Sequence, residues 1–370
     1  MPVSNRLGLQ PYWQSECGRA VVYVGDNIDI MSRMEPAQFH AVVTDPPYGL
    51  EFDVGQVKGD WDSCGDGKGF QSWFDARATE MLRVAKPGAH LLSFGGTRMW
   101  HRMACGIEDA GWEMRDTMMW LYSSGYPKGR DVSKDIDKIL GAKREVVGRV
   151  EMIDTTKIRP GFTGEAHAGV NVGSKRYVDL TVPATDAAKQ WEGWNTTLKP
   201  AWEPIVVARK SFPVGSTAQN VLDYGCGGIN VDACRVGEND DLWPANLLTD
   251  GADEQLCRYF YCPKSNDGDR PHGEGSTAHP TVKPLELMRY LVRLVCARGS
   301  WILDPFSGSF STGCAALIEG MNFVGIEQSV DYADIGVGRM KLALQSAPPP
   351  VELNIPKKTT TASPPPMRVL

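Results

Sequence analysis

Asp45-Pro46-Pro47-Tyr48 is the stretch whose residue types and spacing best suit chemistry. The apolar run from Phe39 to Val43 predicts a short buried strand, and two prolines cannot continue a central strand. Asp45 therefore falls at a strand end, followed by a stiff turn and an aromatic ring. Its carboxylate and the Pro46 carbonyl offer two acceptors for the hydrogens of an exocyclic amine. Tyr48 offers a face on which a planar base can stack. Asp and Pro are also ordinary turn residues. At average usage, however, this tetrapeptide arises by chance in on the order of one such chain in several hundred.

A second stretch has a complementary chemistry. Trp301-Ile302-Leu303 reads as a buried strand running into Asp304-Pro305-Phe306-Ser307-Gly308-Ser309, then a helix to Gly320 and a strand from Phe323 to Ile326 ending at Glu327. Strand, glycine-containing turn, helix, strand and acid place a ligand over the first strand's carboxyl end, with the acid reaching a ribose. No full GxGxxG is present, so this signal alone is generic. Paired with the Asp45 turn, it puts a nucleoside-type cofactor beside an amine-binding site.

The intervening elements must hold these two turns together. Ala20 to Val24 reads as a strand ending near Asp26, and a helix over 28–34 separates it from the Asp45 strand, which suggests a βαβ unit. Residues 49–69 are a Gly- and Asp-rich loop. Phe74, Ala78, Met81, Leu82 and Ala85 share a helical face that Lys86-Pro87-Gly88 closes. A strand over 89–94, a helix to Ala110 and a strand over 118–121 repeat the pattern. The fold class expected is α/β, a doubly wound, mostly parallel sheet with inserted irregular segments. Along the chain this divides into a first part of the core at 1–125, an insertion at 126–198 and a core strand at 199–211. A second irregular region at 212–279, a cofactor-binding part at 280–345 and a disordered Pro-rich tail at 346–370 complete it.

Composition narrows the class. Of 370 residues 42% are hydrophobic, enough for one large domain with an insertion. No run of about 18 apolar residues exists and no signal peptide is visible, so neither a membrane span nor export is expected. Nine scattered cysteines suit a reducing cytoplasm. Cys257-x4-Cys262, with Cys226 and Cys234 upstream, lacks a second tight pair, so no metal is expected. The net charge of −6 argues against non-specific coating of nucleic acid. Over 123–215, however, 15 Lys and Arg face 11 Asp and Glu, a local +4 that leaves −10 on the remainder. Such an insertion suits a DNA groove, although charged solvated surfaces are common. Trp191, Trp194 and Trp202 lie among these charges.

Taken together, these motifs resemble the amino-methyltransferases of DNA, in the permuted group whose catalytic motif precedes the cofactor motif. Asp45-Pro46-Pro47-Tyr48 matches the first, and Asp304-Pro305-Phe306-x-Gly308-Ser309 matches the second. His279-Pro280-Thr281-x-Lys283-Pro284 looks like the motif that precedes the cofactor strand, and Glu327 matches the ribose-binding acid. Gly95-Gly96-Thr97-Arg98, Ser124-Gly125-Tyr126-Pro127-Lys128 and Leu198-Lys199-Pro200-Ala201-Trp202-Glu203-Pro204 look more narrowly like site-specific methylases of phages and prophages. The likeness covers most of 20–345. It implies a Rossmann-like methyltransferase fold and methyl transfer from S-adenosyl-L-methionine to an amine of a flipped base.

On that resemblance Asp45, Pro46, Pro47 and Tyr48 are catalytic. Asp26, Thr281, Lys283, Asp304, Pro305, Phe306, Gly308, Ser309 and Glu327 hold the cofactor, with Lys283 at its polar end. Lys128, Arg130, Lys175 and Arg176 are the expected DNA contacts. Asp in the first motif position favours adenine N6, with cytosine N4 the alternative. Methylation of RNA or of a protein amide usually begins the turn with Asn, and cytosine C5 chemistry wants a Pro-Cys nucleophile absent here. Phe310 stands where the family loop has a glycine and is expected to crowd the cofactor, which keeps a catalytically impaired DNA-binding relative in view. Double-stranded DNA is the implied partner, in the cytoplasm and associated with the nucleoid. Homodimerisation and a cognate restriction partner stay open. Charge reversal at Lys175 and Arg176 should weaken DNA binding and flatten its salt dependence while leaving cofactor binding intact, as titrations across a salt series would show.

Overall fold

The computed structural model describes residues 9–49, 66–122, 129–153, 175–213, 215–237, 239, 241–249, 260–261, 282–353 and 355. Most of the 49–69 loop, Lys128, Cys257, Cys262, His279 to Thr281 and residues 356–370 lie outside them, as do the side chains of Lys175 and Arg176. The described residues cluster into two compact units. The first comprises Met1–Trp120, Glu203–Ser276 and Val282–Leu370, and the second comprises Leu121–Trp202 with Thr277–Thr281. No helix among the described residues is long and apolar enough to cross a membrane.

The first unit is built on a nine-stranded sheet. Its strands are β1 (Trp13–Gln14), β2 (Ala20–Val24), β3 (Phe39–Thr44), β4 (Ala85–Phe94) and β5 (Glu113–Leu121), followed after the second unit's β6 (Glu145–Ile153) and β7 (Lys175–Val182) by β8 (Trp202–Arg209), β9 (Leu247–Thr249), β10 (Trp301–Asp304) and β11 (Asn322–Glu327). The spatial order is β1-β2-β11-β10-β3-β4-β8-β5-β9. Strands β2, β11, β10, β3 and β4 run parallel, and β1 and β8 flank them antiparallel. The parallel strands read as unbroken apolar runs because both faces are covered, and β3 is buried at all six positions.

Two crossovers define where a ligand fits. From β3, helix α2 (Gly67–Val84) leads to β4 in one direction along the sheet. From β10, the helix at Ser311–Ile318 leads to β11 in the other. Right-handed crossovers in opposite directions put the two helices on opposite faces, which opens a crevice at the carboxyl ends of β10 and β3. Packing completes each layer: α2 lies on α1 (Asn27–Ser32) and α3 (Trp100–Asp109), and the Ser311–Ile318 helix lies between Leu285–Val295 and Val330–Ser346.

The second unit holds α4 (Val132–Ile139), α5 (Asp186–Gln190) and an antiparallel ribbon of β6 (Glu145–Ile153) and β7 (Lys175–Val182). It is more regular than the Gly, Thr and charged composition predicts. Buried Asp137 ties it together, accepting from Ala184 N, Thr185 N, Thr185 Oγ1 and Arg144 Nη1 at 2.8–3.1 Å. The remaining helices of the first unit are α6 (Thr217–Tyr224), α7 (Leu285–Val295), α8 (Ser311–Ile318) and α9 (Val330–Ser346). Residues 347–353, expected to be disordered, are described and packed: Pro348 O accepts from Arg19 Nη1 at 2.8 Å, and Val351 O lies within 2.4 Å of where a Cβ on Gly299 would sit.

Phe310 does not crowd the cofactor turn. Its backbone is left-handed, at φ 61° and ψ 37°, and its ring is fully buried. The ring fills space that two glycines leave open: a Cβ at Gly325 would stand 2.6 Å from Phe310 Cε1, and one at Gly336 would strike Cδ2. It also meets Phe323 edge-on at 6.1 Å. Left-handed backbone costs a bulky residue about 1–3 kcal/mol, whereas a buried phenyl group is worth about 3–5 kcal/mol when truncated. Burial wins. Phe310→Ala should therefore lose about 3–5 kcal/mol in urea unfolding, and Phe310→Gly less, because glycine relieves the backbone strain. An alanine variant as stable as the parent would show that the ring anchors nothing.

Candidate active site

Adjacent parallel strands deliver the site residues at one end of the sheet. Thr44 ends β3 and hands over to Asp45, Asp304 ends β10, Glu327 ends β11, and β2 ends just before Asp26 and Asn27. β8 runs antiparallel to β4 with Ile205 opposite Phe94, so Glu203 near its start arrives at the same end.

The Asp45 turn carries a tight ionic cluster. Lys283 Nζ lies 2.6 Å from Asp45 Oδ2, 3.0 Å from the Tyr48 hydroxyl and 3.3 Å from Glu203 Oε2. The Tyr48 hydroxyl in turn lies 3.0 Å from Asp45 Oδ1 and 3.0 Å from Glu203 Oε2. Burial alone would lower the Lys283 pKa, but the Asp45 and Glu203 charges outweigh it and hold the ammonium above the ordinary lysine range. Burial, reinforced by the same two carboxylates, pushes Tyr48 well above its ordinary value, so its hydroxyl stays neutral. Phe94 puts its ring 4.8 Å from the ammonium. Gly96 permits close approach to the ring of Tyr48, since a Cβ there would stand 3.0 Å from Tyr48 Cδ2.

Lys283, expected at the cofactor's polar end, has its ammonium paired with Asp45 and Glu203. Two carboxylates draw its ammonium toward the catalytic turn instead. Glu203 escaped the sequence reading as a site residue because it precedes an ordinary apolar strand. The available signal was the charged residue in Lys199-Pro200-Ala201-Trp202-Glu203-Pro204, but the antiparallel direction of β8 was not legible.

The cofactor turn is organised from within. Asp304 Oδ1 accepts from Thr44 Oγ1 at 2.7 Å and from Phe306 N at 3.1 Å, and burial raises its pKa to about 6 against the pull of these bonds. The Thr44 bond joins the cofactor strand to the residue before Asp45. Glu327 accepts from Gly308 N and Ser329 N, both at 2.8 Å, and burial raises its pKa. Gly308 takes φ 50°, a conformation that suits glycine. Ser309 binds Arg339 Nη1 through its carbonyl and hydroxyl. Asn27 donates to Pro305 O at 3.1 Å and leaves its buried Oδ1 without a partner. Asp26 caps α1 by accepting from Ile28 N and Asp29 N, and faces Arg77 at 3.7 Å. A carboxylate with spare lone pairs, an unpartnered amide oxygen and a glycine turn suit a nucleoside with ribose hydroxyls.

Of the residues expected on DNA, Lys128 and the side chains of Lys175 and Arg176 lie outside the described residues. Arg130 is exposed, but Asp135 holds its guanidinium through both oxygens at 2.9 Å. Trp191 and Trp194 pack on each other edge-on at 4.8 Å.

Residues 39–337 match the N6/N4 methyltransferase family, described as DNA methylase. The type II methyltransferase M.HindIII of Haemophilus influenzae is 23% identical over 358 residues, covering 86% of this chain and 94% of its own. The DNA adenine methyltransferase YhdJ of Escherichia coli is 40% identical over 65 residues, 18% of this chain and 22% of its own. A solved structure titled PvuII DNA methyltransferase, cytosine-N4-specific, shares 15% identity with a TM-score of 0.51, covering 90% of this chain and 89% of that one. That likeness is one of fold. The family match spans the catalytic turn, the cofactor turn and the sheet between them, and on it the chain belongs to the N6/N4 family of DNA methylases.

Proposed function

We propose that the chain methylates the exocyclic N6 of adenine at specific DNA sites, with the target base flipped out of the duplex. The observation that carries this reading is Asp45, set at the end of β3 one residue from the Thr44 bond to the cofactor turn. The methyl donor of this family is S-adenosyl-L-methionine, which supplies an electrophilic methyl group when bound. Glu327 is suited to its ribose hydroxyls, Asn27 Oδ1 offers a further acceptor, and the backbone of 305–308 lines the turn.

An exocyclic amine is a poor nucleophile because its lone pair is delocalised into the ring. Asp45 and the Pro46 carbonyl would accept its two hydrogens and favour a pyramidal nitrogen aimed at the methyl group. Tyr48 would stack on the extruded base, an interaction worth about 1–3 kcal/mol that offsets unstacking. Its ring is held for that task by the bonds of its hydroxyl. The second unit, basic within an acidic chain, is the part we assign to DNA contact.

Asp45→Ala should fold and bind S-adenosyl-L-methionine, while methyl transfer falls by at least about a hundredfold. The measurement is incorporation of labelled methyl groups into DNA, with digestion to separate N6-methyladenine from N4-methylcytosine. Parent-like incorporation would sink the role of Asp45, and label on cytosine would move the base assignment to N4. Glu327→Ala should instead weaken cofactor binding at least about tenfold in calorimetric titration. An unchanged affinity would remove Glu327 from the cofactor site.

A further inference from the structure

The cluster of Lys283, Asp45, Tyr48 and Glu203 is one proton short of satisfying its own contacts. Three of its contacts meet at the Tyr48 hydroxyl: Lys283 donates to it, and a carboxylate oxygen of Asp45 and one of Glu203 each stand 3.0 Å from it. Lys283 brings three N–H protons and Tyr48 one O–H, while ionised carboxylates bring none. The lysine protons cannot enter the two Tyr48–carboxylate contacts, and the single Tyr48 O–H fills one of them. One of the two Tyr48–carboxylate contacts therefore sets oxygen against oxygen at 3.0 Å with no proton between them. One proton added to Asp45 removes the fault. Asp45 Oδ1 then donates to the Tyr48 oxygen, which also accepts from Lys283 and donates to Glu203. Charge points the same way, because two carboxylates and one ammonium sum to −1, and one added proton makes the group neutral.

We propose that the chain Asp45–Tyr48–Glu203 receives the proton that the exocyclic amine must lose, with Glu203 as its terminal acceptor. The inference rests on the reading of Asp45 as the partner of a methylated amine. As the nitrogen lone pair forms the N–C bond, the carbon–sulfur bond breaks and leaves its pair on sulfur. The nitrogen, now four-bonded and positive, gives one proton to Asp45. Asp45 passes a proton to the Tyr48 oxygen while Tyr48 releases its own to Glu203. Glu203, whose side chain is 20% exposed, returns it to water. Sulfonium charge is discharged, the amine ends neutral, and no further reactant is required. Lys283 acts as a positioning residue that keeps the three oxygen groups convergent.

Two readouts on the full chain test this. In the ligand-free protein, infrared difference spectra on acidification should show a carboxyl taking up a proton while a tyrosine band shifts with it. Both Tyr48→Phe and Glu203→Gln should abolish that shift. Asp304 also titrates, near 6, but it binds Thr44 and Phe306 N rather than a tyrosine, so its band should leave the ring unmoved. In single-turnover methylation of DNA, each variant should be at least about tenfold slower. The double variant should be no slower than the slower single, because both cut one path. Cofactor affinity by calorimetry should stay within about twofold in all three. An unmoved tyrosine band in the parent, or losses that multiply in the double variant, would overturn the proton chain. A parent that shows the tyrosine shift but methylates no DNA amine would overturn the reading of the reaction and leave the chain of groups standing.

Discussion

The pairing of β10 with β3 is the interaction on which the rest of the structure depends. Ile302 lies opposite Ala41 and Leu303 opposite Val42, so Asp304 and Thr44 end their strands side by side. The bond from the Thr44 hydroxyl to Asp304 closes the seam where the two crossovers diverge. The Asp304 turn and the Asp45 turn are thereby held by backbone rather than by long side chains. A transfer reaction needs that, since its rate falls steeply with small errors in position.

Electrostatics at the seam are arranged around a single cation. Asp45 and Glu203 come from strands far apart in sequence, and their carboxylates share Lys283 and Tyr48 in a partly dry site. Without the ammonium, two like charges would meet at one hydroxyl. With it, the tyrosine ring is fixed by its polar end, and the same ammonium stands 5.5 Å from the ring centroid.

Much of this was legible before any coordinates. The Asp45 turn follows from an apolar run broken by prolines, and the Glu327 acid follows from strand, turn, helix and strand. The less visible features depend on direction and long-range contact. Glu203 reaches the site only because β8 is antiparallel to β4, and strand direction leaves no mark on a short apolar run. Phe310 read as an obstacle because a motif shows which glycine is missing, but not that Gly325 and Gly336 have made room for its ring. The β6–β7 ribbon hid in a polar stretch because two exposed strands lack the alternation that burial imposes.

The strand order also has a consequence for synthesis. β10 and β11 occupy the middle of the sheet, between β2 and β3, yet among the described strands they come last in the chain. A nascent chain that has reached residue 300 has β2 and β3 complete, each with one row of backbone groups facing no strand. Such bare edges invite pairing with other chains. The centre of the sheet closes only after residues 301–327 have left the ribosome, so the Asp45 and Asp304 turns meet well after the first of them is made.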